Sequence, residues 1–171
     1  LIAGFATGAS KAFVYARSEY PHCNAVFREA LDIARNAGLI GDTFEIELRI
    51  GAGSYVCGEE TALLESLEGK RGQVRAKPPL PAHQGLFGAP TLVNNVLTLA
   101  TAPWILANGW EAYAALGSGR SRGTMPVQLS GNVRFGGLLE VPFGLTLRQI
   151  VMEFGGGTAS GRPARAVQCG G

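Results

Sequence analysis

From Thr43 to Ile50 apolar and charged residues alternate: Phe44, Ile46, Leu48 and Ile50 against Glu45, Glu47 and Arg49. Side chains of an extended chain point alternately to opposite faces, so this pattern predicts a half-buried strand. The strand runs straight into a glycine-rich turn, Gly51 to Gly58 (GAGSYVCG), and then into a leucine-rich helix pattern over Glu59 to Glu68, closed by Gly69. Upstream, Lys11 to Arg17 (KAFVYAR) is rich in aromatic and β-branched residues and reads as a strand. Pro21 then opens a helix pattern through Val26, Phe27, Ala30, Ala34 and Ala37, which Gly38 ends. Strand, helix, strand, helix is the order of an α/β fold.

Beyond this unit, Lys77 to Pro90 (KPPLPAHQGLFGAP) holds four prolines and two glycines, which excludes regular structure in its interior. Leu80, Leu86 and Phe87 predict that the loop packs down on something. A helical pattern resumes at Thr91 and runs through Val96, Leu99 and Ala100. Pro103 is expected to break or kink it before Trp104 to Leu116. Gly117 to Gly123 (GSGRSRG) has the composition of an exposed linker. Val127, Leu129 and Val133 then form a strand pattern, Phe135-Gly136-Gly137 turns the chain, and Leu138 to Val141 returns. Thr146 can cap a helix over Leu147 to Phe154, and Ala164 to Gln168 reads as a further strand. This order predicts a partial α/β domain over 1–116, a linker over 117–124 and a partial β-grasp domain over 125–171.

Composition narrows the function. No apolar run is long enough to span a membrane, and charged residues make up 16% of the chain with a net charge of +2. Neither nucleic-acid binding nor membrane insertion is expected. A start at Leu1 and an end at Gly170-Gly171 suggest an internal piece of a larger soluble protein. Cys23, Cys57 and Cys169 are far apart, and His22 and His83 complete no ligand set, so no metal site is expected in this stretch. Three scattered cysteines fit a reducing compartment, the cytoplasm, better than a disulfide scaffold.

The glycine turn has Gly51 and Gly53, but Val56 stands at the third glycine position of the dinucleotide fingerprint, and no Gly-Lys-Ser/Thr follows. Glycines let a backbone pass close to a ligand, and Tyr55 could stack on a ring, so a nucleotide or flavin pocket stands beside a plain tight connection. Glu59 and Glu60 lie where the helix begins. They could simply complement the helix dipole, or one could accept hydrogen bonds from both hydroxyls of a ribose. Such a carboxylate repels a 2′-phosphate and so favours NAD over NADP. Two carboxylates also oppose a phosphate at that helix start. Cys57 reads as a small packed side chain, with an activated thiol as the alternative. Asn94 and Asn95 could cap the second helix or hold the polar edge of a flavin. Lys70, Arg71, Arg75 and Lys77 form a basic cluster that reads as a solvated face, except that Lys77, fixed before two prolines, is the one expected near a ligand. Arg17 and Glu19 share a face and are expected to serve as structural ion-pair partners.

These residues carry a resemblance. GAGSYVCGEETALLESLEGKRG, then KPPLPA, then PTLVNNVLTL resemble the flavoprotein subunit of NADH:quinone oxidoreductase and its relatives, the diaphorase subunit of NAD-reducing hydrogenases and the β subunit of NAD-dependent formate dehydrogenases. FVYARSEYP is similar to the family's Y-x-R-x-E-Y segment. MPVQLSGNV, EVPFGLTLRQI and FGGGTASGRPARAVQ resemble its soluble-ligand-binding (SLBB) β-grasp domain, in wording closest to the formate dehydrogenase branch. The resemblance implies an FMN-binding α/β sandwich followed by the β-grasp domain, both partial. It also implies hydride exchange between NAD(H) and FMN, with single electrons passed to or from iron–sulfur centres. On the matching motifs, Tyr55, Gly58 and Glu59 would line the FMN site, Glu60 would sit by the NAD(H) ribose and Lys77 on the NAD(H) side. Val93, Asn94, Asn95 and Thr98 would hold the flavin from the second helix. No metal ligand is implied within these residues: a [4Fe–4S] cluster belongs to the family's cysteine-rich downstream domain, and the loop that wraps the FMN phosphate lies upstream. Iron–sulfur subunits are the implied partners. On this view the 171 residues alone bind flavin poorly and are inactive.

Two positions depart from the family's pattern. Leu80 stands where the family has a phenylalanine able to stack on adenine, and Leu97 replaces an acidic residue in N-N-V-E-T. Two rival readings remain at this level: a non-catalytic scaffold with a docking β-grasp part, and a Cys57 hydrolase.

Overall fold

The computed structural model describes residues 1–170. The chain divides into two units, Leu1–Leu99 and Ala100–Gly171.

In the first unit a short helix α1 (Ile2–Thr7) precedes strand β1 (Lys11–Arg17), helix α2 (Pro21–Asn36), strand β2 (Glu45–Gly51) and helix α3 (Glu60–Leu67). β1 and β2 pair in parallel, from Lys11 opposite Glu45 to Arg17 opposite Gly51, with α2 as the crossover. Proline fits the first turn of α2 because no intrahelical partner awaits its missing N–H, and Gly38 ends the helix segment at φ 68°. Both strands and both helices expected from the sequence are therefore present, and they make one βαβ unit.

The clean two-faced character expected of β2 is not realised. Glu45 to Leu48 are all half-buried, and Ile50 is exposed. The sheet has two strands, and the polar residues are tied up in ion pairs: Lys11–Glu47 at 3.1 Å, Arg49–Glu47 at 2.6 Å and Arg35–Glu45 at 2.6 Å. The core of the unit gathers on α3, where Ala62 and Leu64 are 0% and 1% exposed, with Leu31, Ile40, Cys57 and Leu86 also buried. A hydrogen bond of 2.9 Å between the Tyr15 hydroxyl and Ser66 Oγ ties β1 to α3.

The loop over 77–90 contains one 3-10 turn, Leu86–Gly88, and otherwise no regular structure. It packs down through Leu86, whereas Leu80 and Phe87 stay 51% and 71% exposed. Helix α4 spans Val96–Asn108, starting later than the Thr91 expected from the pattern, because Asn95 Oδ1 accepts the Leu97 N–H at 2.8 Å and caps it. Pro103 lies within α4 and does not interrupt it. Proline removes one N–H from the ladder, whereas Gly109, at φ 89°, leaves right-handed helix geometry altogether and separates α4 from α5 (Trp110–Ala114).

In the second unit the residues expected to be a linker form a small antiparallel hairpin, β3 (Gly117–Ser118) with β4 (Ser121–Arg122). A longer hairpin follows, β5 (Thr124–Leu129) antiparallel to β6 (Gly137–Pro142). Val133 falls in the connection between them. Thr146 caps α6 (Leu147–Gln149) in a reciprocal capping box with Gln149, and the chain continues as a π-helical turn over Ile150–Phe154. Leu129, Val141, Ile150 and Val151 make this unit's small core. Ala164 to Gln168 adopts no regular structure, so the returning strand expected of a β-grasp is absent among the described residues.

At the end of β2 a side chain on Gly51 would collide with the Tyr15 phenol, which Ser66 holds in place. Gly51→Ala is expected to lower stability by about 1–3 kcal/mol. The drop should shrink in a Tyr15→Ala background, as read from denaturant midpoints in a double-mutant cycle.

Candidate functional site

The site grows from the join of β2 and α3. After Gly51 the chain turns at Gly53 (φ 88°), makes a 3-10 turn over Tyr55–Gly58, and presents Glu59 in extended conformation as the N-cap of α3. Glu59 Oε2 accepts the backbone N–H groups of Thr61 (2.9 Å) and Ala62 (2.8 Å) and the Thr61 hydroxyl (2.5 Å). A helix start leaves its first amides without intrahelical partners and carries partial positive charge, and a carboxylate satisfies both needs. Partial burial pushes the Glu59 carboxyl up. The Thr61 hydroxyl, the Ala62 N–H, the Lys77 ammonium and the Thr61 N–H overcome this and bring it down to about 2.

The two adjacent glutamates thus take different positions. Glu59 fills the helix start, while Glu60, the first residue of α3, keeps a side chain 38% exposed. Lys77 Nζ lies 2.5 Å from Glu60 Oε1 and 3.3 Å from Glu59 Oε1. The Glu60 and Glu59 carboxylates hold the Lys77 ammonium above its usual range. Tyr55, four residues before the N-cap, is 88% exposed, and a Cβ on Gly58 would meet nothing within 4 Å. The chain is therefore open at Tyr55 and Gly58, and a planar ring could approach the backbone at Gly58.

Val93, Asn94, Asn95 and Thr98 form a second group around the start of α4. Val93 is half-buried, and the other three are exposed. Thr98 lies on the helix, whereas Val93, Asn94 and Asn95 precede it, which corrects the expectation that all four lie on it. No hydrogen bond or ion pair joins these four to Tyr55, Gly58, Glu59, Glu60 or Lys77 among the described residues.

The basic cluster is not simply a solvated face. Arg75 contacts Glu65 (2.5 Å), Glu68 (2.8 Å) and the Gly85 carbonyl (3.0 Å), and Lys70 pairs with Glu68 at 2.8 Å. The Glu68 side chain is only 7% exposed. Lys70 and Arg75 hold its carboxyl down, burial opposes them, the Phe87 N–H assists, and the group settles at about 2. That N–H, at 2.8 Å, also supports Phe87 in a left-handed backbone conformation, φ 51°. A cleft of about 610 Å³ beside this network is lined by Thr61, Leu64, Glu68, Arg75 and Phe87 among others, and by none of the site residues expected from the sequence.

Cys57 is buried, and a Cβ on Gly72 would come within 2.7 Å of its Sγ, as expected of a small packed side chain. Arg17 and Glu19 form the expected ion pair at 2.5 Å. Nothing in the sequence pattern singles out Thr61, which is 1% exposed and bonded to both Glu59 and the Arg75 backbone. Its place two residues after an N-cap glutamate is the one available signal.

A parallel βαβ unit whose second strand runs through a glycine turn, with an exposed aromatic in it, into a carboxylate-capped helix that pairs with a lysine makes part of an α/β domain. Residues 1–104 match the model of the Nuo51 FMN-binding domain family, and the chain belongs to that family. It is 45% identical over 177 residues to the NADP-reducing hydrogenase subunit HndC of Solidesulfovibrio fructosivorans, with 99% of this chain and 36% of that protein covered. It is 42% identical over 177 residues to an NADH-quinone oxidoreductase subunit of Aquifex aeolicus (strain VF5), covering 99% of this chain and 42% of that protein. The chain thus spans about two fifths of the length of these relatives. Among solved structures, an air-oxidised NAD+-reducing [NiFe]-hydrogenase superposes with a TM-score of 0.81 at 42% identity, over 88% of this chain and 26% of that one.

The depressed Glu68 carboxyl makes a testable statement about acid stability. Its folded value of about 2 lies below the ordinary 4.5, so its contribution is present above pH 4.5 and is lost as the pH falls towards 2. Glu68→Gln is expected to cost about 1–3 kcal/mol at pH 7 and to flatten the fall in melting temperature between these pH values. Parallel melting curves for the two proteins would contradict the assignment.

Proposed function

We propose that this chain is part of an FMN- and NAD(H)-binding electron-transfer subunit, and that Tyr55 to Glu60 with Lys77 form one wall of its flavin–nicotinamide pocket. Family membership and the exposure of Tyr55 and Gly58 support the reading. The observation that carries the site assignment is the division of labour between the glutamates: Glu59 occupies the α3 amides, and Glu60 projects beside Lys77 with its side chain part-exposed.

FMN, when bound, supplies hydride exchange with the nicotinamide and one-electron exchange with iron–sulfur centres. The residues of this chain bind and orient. Tyr55, Gly58 and Glu59 line the flavin, the open backbone at Gly58 allowing close approach. Because the Glu59 carboxylate already sits at the α3 N-terminus, that helix start is closed to the FMN phosphate. Glu60 accepts from the NAD(H) ribose hydroxyls and disfavours a 2′-phosphate, while Lys77 offers a cation on the dinucleotide side. Val93, Asn94, Asn95 and Thr98 contact the flavin from the start of α4. The Asn95 carbonyl oxygen is engaged in capping, which leaves its amide group to donate.

The second-unit motifs favour the formate dehydrogenase branch, with subunits of quinone oxidoreductases and NAD-reducing hydrogenases as the alternatives, and the β5–β6 hairpin with α6 suits the start of a β-grasp. Iron–sulfur subunits are the proposed partners and the cytoplasm the proposed compartment. No helix among the described residues is long and apolar enough to cross a membrane. A relative named as NADP-reducing makes nicotinamide preference the sharpest question for Glu60.

In the full-length protein, Glu60→Gln should shift the NADPH-to-NADH ratio of kcat/KM by about tenfold towards NADPH, equivalent to ~1.4 kcal/mol. Asn94→Ala and Asn95→Ala should lower the FMN content of the purified protein. Unchanged preference together with unchanged flavin content would favour the scaffold reading instead.

A further inference from the structure

The Thr61 hydroxyl connects two segments of the proposed site that are distant in sequence. Its side chain is buried, at 1% exposure for the residue. Oγ1 donates to Glu59 Oε2 at 2.5 Å and accepts the Arg75 backbone N–H at 2.8 Å. The directions are forced: an ionised carboxylate only accepts and a backbone N–H only donates, so the hydroxyl's single proton goes to Glu59 and a lone pair faces Arg75. Arg75 is fixed a second time through its side chain, to Glu65, Glu68 and the Gly85 carbonyl. Two residues further on, Lys77 turns back to Glu60 and Glu59. The contacts close a ring: Glu59, Thr61, the backbone from Arg75 to Lys77, and Glu59 again.

We propose that Thr61 is a positioning residue for nicotinamide-nucleotide binding: its hydroxyl locks the segment bearing Lys77 to the start of α3, and so sets the spacing of Lys77 from Glu60. The inference rests on the assignment of Glu60 and Lys77 to the nucleotide side. A threonine kept only for packing would depend on its methyl group. The ring depends on the hydroxyl, which serine retains and valine lacks at nearly the same volume. Without the hydroxyl the Arg75 N–H loses its acceptor, and the register of the following residues is no longer held. Glu59 keeps its two backbone donors, so the flavin side is spared.

The test uses the full-length flavoprotein and its Thr61→Val and Thr61→Ser variants. NAD+ binding is titrated through the flavin absorbance of the oxidised protein, and NADH kinetics and FMN content are measured alongside. Valine should weaken NAD+ binding and raise KM for NADH by about tenfold, a loss typical of one buried hydrogen bond with its partner left unpaired. Flavin content and kcat should stay within about twofold, and serine should restore binding. If valine binds NAD+ as the parent does, or if serine is impaired as much as valine, the proposal is overturned. Should the valine variant fail to fold, serine alone decides, because a packing role predicts impairment and the hydroxyl role predicts none. Glu60→Gln, run in parallel, separates the two levels: a change there with none at Thr61→Val removes only the positioning role. No change in either variant removes the site assignment as well.

Discussion

The carboxylate of Glu59 is the contact on which the local architecture turns. Three donors converge on one of its oxygens, two from the backbone of α3 and one from Thr61. A helix start that takes its own anion has no free amides to offer a ligand's phosphate. The N-terminus of α3 is therefore electrically satisfied. It carries Glu60, paired with Lys77, and follows in the chain on the exposed ring of Tyr55 and the bare backbone of Gly58. These suit hydroxyl recognition and ring approach better than phosphate gripping.

The same economy of charge governs the other end of α3. The basic residues after the helix reach back to its carboxylates, so the Lys77–Pro90 loop is held with no regular structure beyond the Leu86–Gly88 turn. Buried Leu86 and the Phe87 N–H bond to Glu68 finish the attachment. A carboxylate only 7% exposed is tolerable because Lys70 and Arg75 compensate it. The loop is thereby joined to α3 through side chains at both of that helix's ends.

Local rules made much of the fold legible. β1, α2 and α3 carry their own signals in the Phe13-Val14-Tyr15 run, a proline at a helix start and closing glycines, and the Thr146 capping box is visible as Thr-x-x-Gln. The signals failed where competing effects were close in size. Pro103 has the residues of a helix breaker but only one ladder bond to remove, while Gly109 stops the helix by a change of backbone sign. Gly117 to Gly123 looks like a linker, yet glycines at positive φ also make the tight turn of a hairpin. Ala164 to Gln168 reads as a strand but pairs with no strand among the described residues. In the site, Glu59, Glu60 and Lys77 could be picked from the sequence and do come together. Which glutamate caps and which projects could not, because that depends on the φ and ψ of a single residue. Thr61 was silent for a related reason, since its role lies in a partner fourteen positions away.

The central claim is that the residues around the β2–α3 join, together with the segment bearing Lys77, form one binding wall. Hydrogen–deuterium exchange on the full-length flavoprotein, with and without NADH, tests it most directly. The account predicts slowed exchange on NADH binding at peptides covering 55–62 and 75–80 together, with the α2 peptide over 22–30 unchanged. Slowing confined to other segments, with 55–62 and 75–80 indifferent to NADH, would contradict it.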